Sequence, residues 1–318
     1  YYLPGVIMLP AVSCFAAVSV ICVSMLFGAA QVQAESLTIH HSSGQTELPV
    51  QPQKTVVLDW STLDTLAQLG VTVAGIPSSN PPEVLRQYRE GEFIRAGSLF
   101  EPDLEVLRTA QPDLIILGRR AQGKYEEVSA FGTTIDLTPD PNDLLGSVER
   151  NTLLLGEIFG KQERAAELVA QLKASVDELR QLTRDQGDGL LILTTGGKMA
   201  AFGKGTRFGL IHDVFGVEQA VAELKAGRHG QAVSFEFLLE ADPDWLFVMD
   251  RDAAIGREGT AAAELMDNEL VKATSAGSKG QIVYLDPASW YLLDNSGIGV
   301  MQASVDELIK VFSAAAAR

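Results

Sequence analysis

Five residues in this sequence sit where their side chains could do chemistry: Arg120, Arg207, Arg251, His229 and Tyr291. None of them belongs to a catalytic motif. There is no His-Glu-x-x-His pair, and Gly196-Gly197-Lys198 is followed by Met199, so it lacks the hydroxyl that a phosphate-binding loop needs for Mg²⁺. Gly203, Gly205 and Gly209 miss the dinucleotide-binding spacing by one residue, and no Gly-x-Ser-x-Gly elbow is present. An enzyme reading therefore has no residue to start from.

The other histidines read as structural. His40 and His41 lie in an N-terminal strand beside a turn, and His212 falls in a helical stretch. His229 differs because Gly227 and Gly230 flank it and let the backbone approach a ligand. Tyr291, with Trp290, follows the strand Ile282 to Leu285. Aromatics at a strand end are ordinarily packing, yet ligands of open α/β sheets bind beyond the carboxyl ends of strands. Arg120 and Arg251 also follow strands closely, and Arg207 sits in a Gly-rich loop before a helix. Singly, each arginine is a surface charge; three in such places, in a strongly acidic chain, stand out.

The elements that must position them alternate. Val56 to Leu58 reads as a strand, Ser61 to Leu69 as a helix ending at Gly70, Val71 to Ile76 as a strand, Leu104 to Ala110 as a helix and Leu114 to Leu117 as a buried strand. Leu190 to Thr194 and Leu246 to Met249 continue the pattern in the second half. Such βαβα order implies parallel sheets with helices on both faces. An internal echo strengthens the two-lobe reading: Asp103-Leu104-Glu105 before Pro112-Asp113-Leu114 matches Ser234-Phe235-Glu236 before Pro243-Asp244-Trp245. In gapless register Glu105 aligns with Glu236, and Arg120, instead of its neighbour Arg119, aligns with Arg251. Between the halves, Ala165, Leu168, Leu172, Val176 and Leu179 recur at helical spacing within Lys161 to Asp185. The expected fold is thus two Rossmann-like α/β lobes, 35–160 and 186–318, joined by one long interlobe helix, 161–185.

Residues 1–34 carry no Lys, Arg, Asp or Glu and include an apolar run from Phe15 to Phe27. With Val32-Gln33-Ala34 behind it and no charged stop-transfer flank, this reads as an export signal cleaved after Ala34. Both cysteines, Cys14 and Cys22, lie inside it, which excludes disulfides and thiol catalysis from the remainder. Residues 35–318 suffice for two domains of about 140 residues. The formal charge of −16 argues against nucleic acid or an anionic membrane surface as partner.

With these residues in view, the sequence resembles the periplasmic siderophore-binding proteins of ABC importers, the family with a helical interlobe backbone, and it looks closest to the catecholate branch. The resemblance rests on Ala96 to Glu105, Gly205-Thr206-Arg207-Phe208-Gly209, His229 to Ser234, Asp250-Arg251-Asp252 and Trp290-Tyr291. It implies a monomer without catalytic activity or intrinsic cofactor, with an interlobe cleft where Arg120, Arg207 and Arg251 face an anionic ferric catecholate. It further implies that His229 and Tyr291 complete the iron shell, as imidazole and phenolate oxygen can. Glu105 and Glu236 would dock on arginines of the importer's permease. A haem or cobalamin carrier of the same family, and a metal-dependent enzyme using His229 and Tyr291, are the alternatives.

Overall fold

The computed structural model describes Tyr1 and residues 36–49, 51–224, 227, 229–259 and 261–317. The expected leader beyond Tyr1, its expected cleavage point, Cys14 and Cys22 lie outside these residues, as do Lys225, Ala226 and Arg228. Contacts divide the chain into two compact units, Tyr1–Ala34 and Glu35–Arg318, and the second carries everything below.

An antiparallel hairpin opens it, β1 (Ser36–His41) with β2 (Gly44–Pro49). Here His41 meets the Thr46 hydroxyl at 2.9 Å and the Tyr125 ring, a structural role. Five strands follow: β3 (Thr55–Val57), β4 (Gly75–Ile76), β5 (Ile94–Arg95), β6 (Leu114–Leu117) and β7 (Thr134–Asp136). They form one parallel sheet in the order β5-β4-β3-β6-β7. All four β6 residues are buried, as befits a strand covered by helices on both faces. The expected strand from Val71 shrinks to Gly75–Ile76, because its partner β3 offers only three residues to pair with.

The second sheet is built from β8 (Asp188–Thr195), β9 (Lys198–Phe202), β10 (Glu218–Gln219), β11 (Gln231–Val233), β12 (Trp245–Asp250) and β13 (Ile282–Leu285). Its order is β11-β9-β8-β12-β13, with β10 paired to the start of β8. The pairs β8–β12 and β12–β13 are parallel, whereas β9 and β11 add an antiparallel edge. Gly196-Gly197 makes that edge. Both glycines have positive φ, +54° and +74°, the backbone of a two-residue hairpin turn whose twist suits the flanking strands.

The internal echo is three-dimensional. Helices Leu104–Ala110 and Phe235–Ala241 have the same length, start at a side-chain cap (Asp103, Ser234) and stop at a left-handed residue (Gln111, Asp242). In each copy the Pro-Asp aspartate then caps the entry of a neighbouring strand. Asp113 accepts from the backbone of Gln53 and Lys54, and Asp244 from that of Asp188.

Three longer helices tie the halves together. Gln162–Thr183, about 33 Å long at 1.5 Å per residue, buries Ala165, Leu168, Leu172, Val176 and Leu179. It packs against Leu144–Ile158 and Ile298–Ala316. At its far end Arg180 and Thr183 donate to the carbonyls of Val214 and Phe215. The closing helix, Ile298–Ala316, begins without a side-chain cap of its own. Asp64, on the Trp60–Gln68 helix, accepts the N–H groups of Gly299 and Val300 at 2.8 and 3.0 Å instead. Burial pushes the Asp64 carboxyl up to about 6 against the pull of those two N–H groups. At the other end Phe312 packs 4.5 Å from the Trp245 ring of β12.

Candidate functional site

β6 ends at Leu117, and Gly118 carries the chain past Asp59. A Cβ at Gly118 would sit 2.4 Å from the Asp59 carboxyl carbon, so only glycine lets the chain pass this close. Arg119 and Arg120 follow. Arg251 is the first residue after β12, where Asp250 caps the next turn through the Ala253 N–H. Arg207 comes from the loop after β9, which is stitched by Thr206 Oγ1 to the Gly203 carbonyl and by the Gly205 N–H to Asp213. Tyr291 lies in a single π-helical turn, Ala288–Leu292, after β13.

These four strand-end and loop segments meet at Tyr291. Arg120 Nη2 and Arg207 Nη2 donate to its backbone carbonyl at 3.0 and 2.9 Å. Arg251 Nε donates to its hydroxyl at 2.7 Å. Its ring has the Arg207 and Arg251 guanidinium carbons 5.1 and 5.5 Å from the centroid and stacks on Phe208 at 6.1 Å. Attraction between guanidinium and ring faces adds to the hydrogen bonds. All three arginines and Tyr291 are half-buried.

The sequence reading missed the counter-charges. Asp294, 5 % exposed, accepts from Arg207 Nε and Nη2 on one carboxylate oxygen, and its other oxygen lies 3.6 Å from Arg119 Nε. Arg119 thus reaches Asp294, while Arg120 reaches Tyr291. Burial holds the Arg119 guanidinium below its ordinary range, with Asp294 opposing. Burial pushes the Asp59 carboxyl up, opposed first by the Thr62 N–H and then by Arg120. On the Arg251 side, Thr195 donates to Asp252 at 3.0 Å and accepts from Arg251 at 3.3 Å. The Gly196 N–H holds the Asp252 carboxyl below its usual range. Asp294 opens an Asp-Asn pair in the left-handed region, φ +50° and +48°, three residues past the tyrosine.

Other expected site residues fall elsewhere. His229 is exposed, and among the described residues it has no hydrogen bond to the cluster. A Cβ at its neighbour Gly230 would sit 2.8 Å from the Phe202 ring, which packs edge-on to Phe208 at 4.9 Å, and Phe208 in turn stacks on Tyr291. Trp290 is core, 2 % exposed and edge-on to Phe215. Glu105 and Glu236 are exposed, each the second residue of its equivalent helix. The Ser234 hydroxyl holds the Glu236 carboxyl below its ordinary range.

Chemically, the cluster presents fixed guanidinium forks around an aromatic hydroxyl. Such forks suit planar or bidentate anionic oxygens. A family model for periplasmic binding proteins matches residues 55–289. The petrobactin-binding protein YclQ of Bacillus subtilis is 37 % identical over 281 residues, 87 % of each chain. Its crystal structure superposes with a TM-score of 0.83, covering 87 % of this chain and 99 % of that one at 35 % identity. The ferric-anguibactin-binding protein FatB of Vibrio anguillarum is 32 % identical over 280 residues, 86 % of this chain and 87 % of FatB. The periplasmic catecholate-siderophore binding protein VctP of Vibrio cholerae gives a TM-score of 0.81 at 31 % identity, over 88 % of this chain and all of VctP's. Fold, arginine cluster and these likenesses agree: the chain belongs to the periplasmic binding protein family.

Proposed function

We propose that the chain captures a ferric siderophore of catecholate type at the Tyr291 cluster and delivers it, unchanged, to an ABC importer. The observation that carries this reading is the convergence of Arg120 from one half and Arg207 and Arg251 from the other on a single tyrosine. A ferric catecholate complex is multiply anionic, and guanidinium groups, more weakly hydrated than an ammonium, bond its oxygens at a lower desolvation cost. The net charge of −16 does not oppose this, because exposed charges more than about 8 Å away are screened at physiological salt. Relatives that bind petrobactin, ferric anguibactin and catecholate siderophores support the ligand class.

Within this reading Tyr291 and His229 supply iron ligands when the chelator leaves coordination positions open. Titration with ferric catecholates, ferric hydroxamates, haem and cobalamin tests the class, followed by Trp290 emission and by recovery of the chelate intact. Preference for haem, cobalamin or a hydroxamate, or conversion of the chelate, would overturn it. For ligation, a phenolate-to-iron band in the visible is expected to fall in Tyr291→Phe; an unaltered spectrum excludes direct coordination.

Glu105 and Glu236 are proposed to meet basic residues of the permease. The double variant Glu105→Ala/Glu236→Ala is expected to keep its affinity for the chelate, since neither side chain touches the cluster, and to lose import by cells. Unimpaired import would make both residues ordinary solvated charges.

A further inference from the structure

Phe100 is 60 % exposed, a large apolar ring that the fold leaves in water. Among the described residues it pairs with no other ring. Its one recorded ring contact is the Arg120 guanidinium carbon, 6.0 Å from the centroid. Arg120 is the same residue whose Nη2 reaches the Tyr291 carbonyl.

A frayed loop could display an aromatic by accident, but this loop is stitched on every side. The Ser98 hydroxyl accepts from the Phe100 and Glu101 N–H groups, and the Ser98 N–H donates to the Glu101 carbonyl. Gly97 bridges to Pro102, and its N–H donates to the Ser78 hydroxyl. Gly97 holds φ +91°, and a Cβ there would sit 2.4 Å from the Asp103 nitrogen, so this turn excludes other residues. Below it Leu99 is buried in the core, and beside it Lys124 pairs with Glu101 at 2.9 Å. The same ordered turn that buries Leu99 thus holds one bare ring at the edge of the arginine cluster. A phenylalanine already held in place beside the cluster offers a ligand an apolar face that need not be ordered on binding.

We infer that Phe100 is a ligand-contact residue that stacks on an aryl ring of the bound chelate and so favours aryl-bearing ferric chelates over aliphatic ones. The inference rests on the proposed function. The chemistry fits the position: a catecholate whose oxygens meet the Arg120 fork presents its ring to whatever lies within ring-stacking distance of that fork, and that is Phe100. Offset stacking of two such rings falls in the 4.5–7 Å centroid range.

The test is the dissociation constant for the ferric complex of 2,3-dihydroxybenzoate, measured on the full chain and on Phe100→Ala, Phe100→Leu and Phe100→Trp. All three substitutions are at an exposed position and leave the core untouched. Phe100→Ala is expected to bind roughly three- to tenfold more weakly, the equivalent of one aromatic pair. Phe100→Trp should match the parent, and Phe100→Leu should lie with the alanine variant. Equal affinity in all four proteins overturns the inference, and leucine equal to phenylalanine reduces the ring to apolar cover. Lost import with intact binding would move Phe100 to the permease surface and equally overturn it. Failure of the parent chain itself to bind the complex strikes the proposed function, a separate outcome.

Discussion

Arg251→Ala is expected to weaken binding of a ferric catecholate by about 2–3 kcal/mol, roughly 30- to 150-fold in Kd. Arg251 is tied to Tyr291 and Thr195 at once, so its fork is aimed before any ligand arrives. Loss of the side chain removes a charge-assisted donor and leaves the Tyr291 hydroxyl without the partner that orients it. The fold should tolerate the change: Thr195 keeps its bond to Asp252, and the Arg251 side chain is 31 % exposed. Arg251→Lys restores the charge but not the planar fork, and only part of the affinity should return. Calorimetric titration of the three proteins gives the answer, and an unchanged Kd in Arg251→Ala would take Arg251 out of the site.

Asp294→Ala is expected to cost stability more than affinity. The carboxylate is nearly inaccessible and faces Arg207 and Arg119, whose side chains are each 28 % exposed. Removing one partner of a buried ion pair costs 3–5 kcal/mol, and the partial exposure of the arginines puts this case near the lower end, about 3 kcal/mol. Urea denaturation reads this directly. A second signature separates it from a simple packing defect. A polyanionic chelate now supplies the missing negative charge, so the ligand should raise the melting temperature of Asp294→Ala by more than it raises that of the parent. Equal unfolding midpoints would show that the pair contributes nothing to the fold.

How much was legible in the sequence follows from how local each signal is. β6 and β13 are legible to the residue, because each is a short apolar run bounded by a turn; β6 is buried throughout, whereas β13, at the sheet edge, leaves Tyr284 exposed. The long helix was read within two residues at each end from its apolar spacing. The antiparallel edge was not, although its signal was present: Gly196-Gly197 was weighed as a phosphate loop and rejected, when a double glycine between apolar runs also marks a hairpin. The repeat put Arg120 and Arg251 at equivalent strand ends, which a periodic pattern can reveal. Asp294 lies 87 residues from the arginine it neutralises, and nothing in a linear pattern joins the two. Charge compensation is a property of the packed interior and becomes visible only there.

The helix that seats its first turn on Asp64 and its last on Trp245 follows every strand of both sheets along the chain. Until those nineteen residues exist, the Trp60–Gln68 helix and the longest helix each lack one of the partners they pack against. A chain emerging N-terminus first therefore cannot complete this packing until residue 316 has emerged, so both halves wait on a segment far along the sequence.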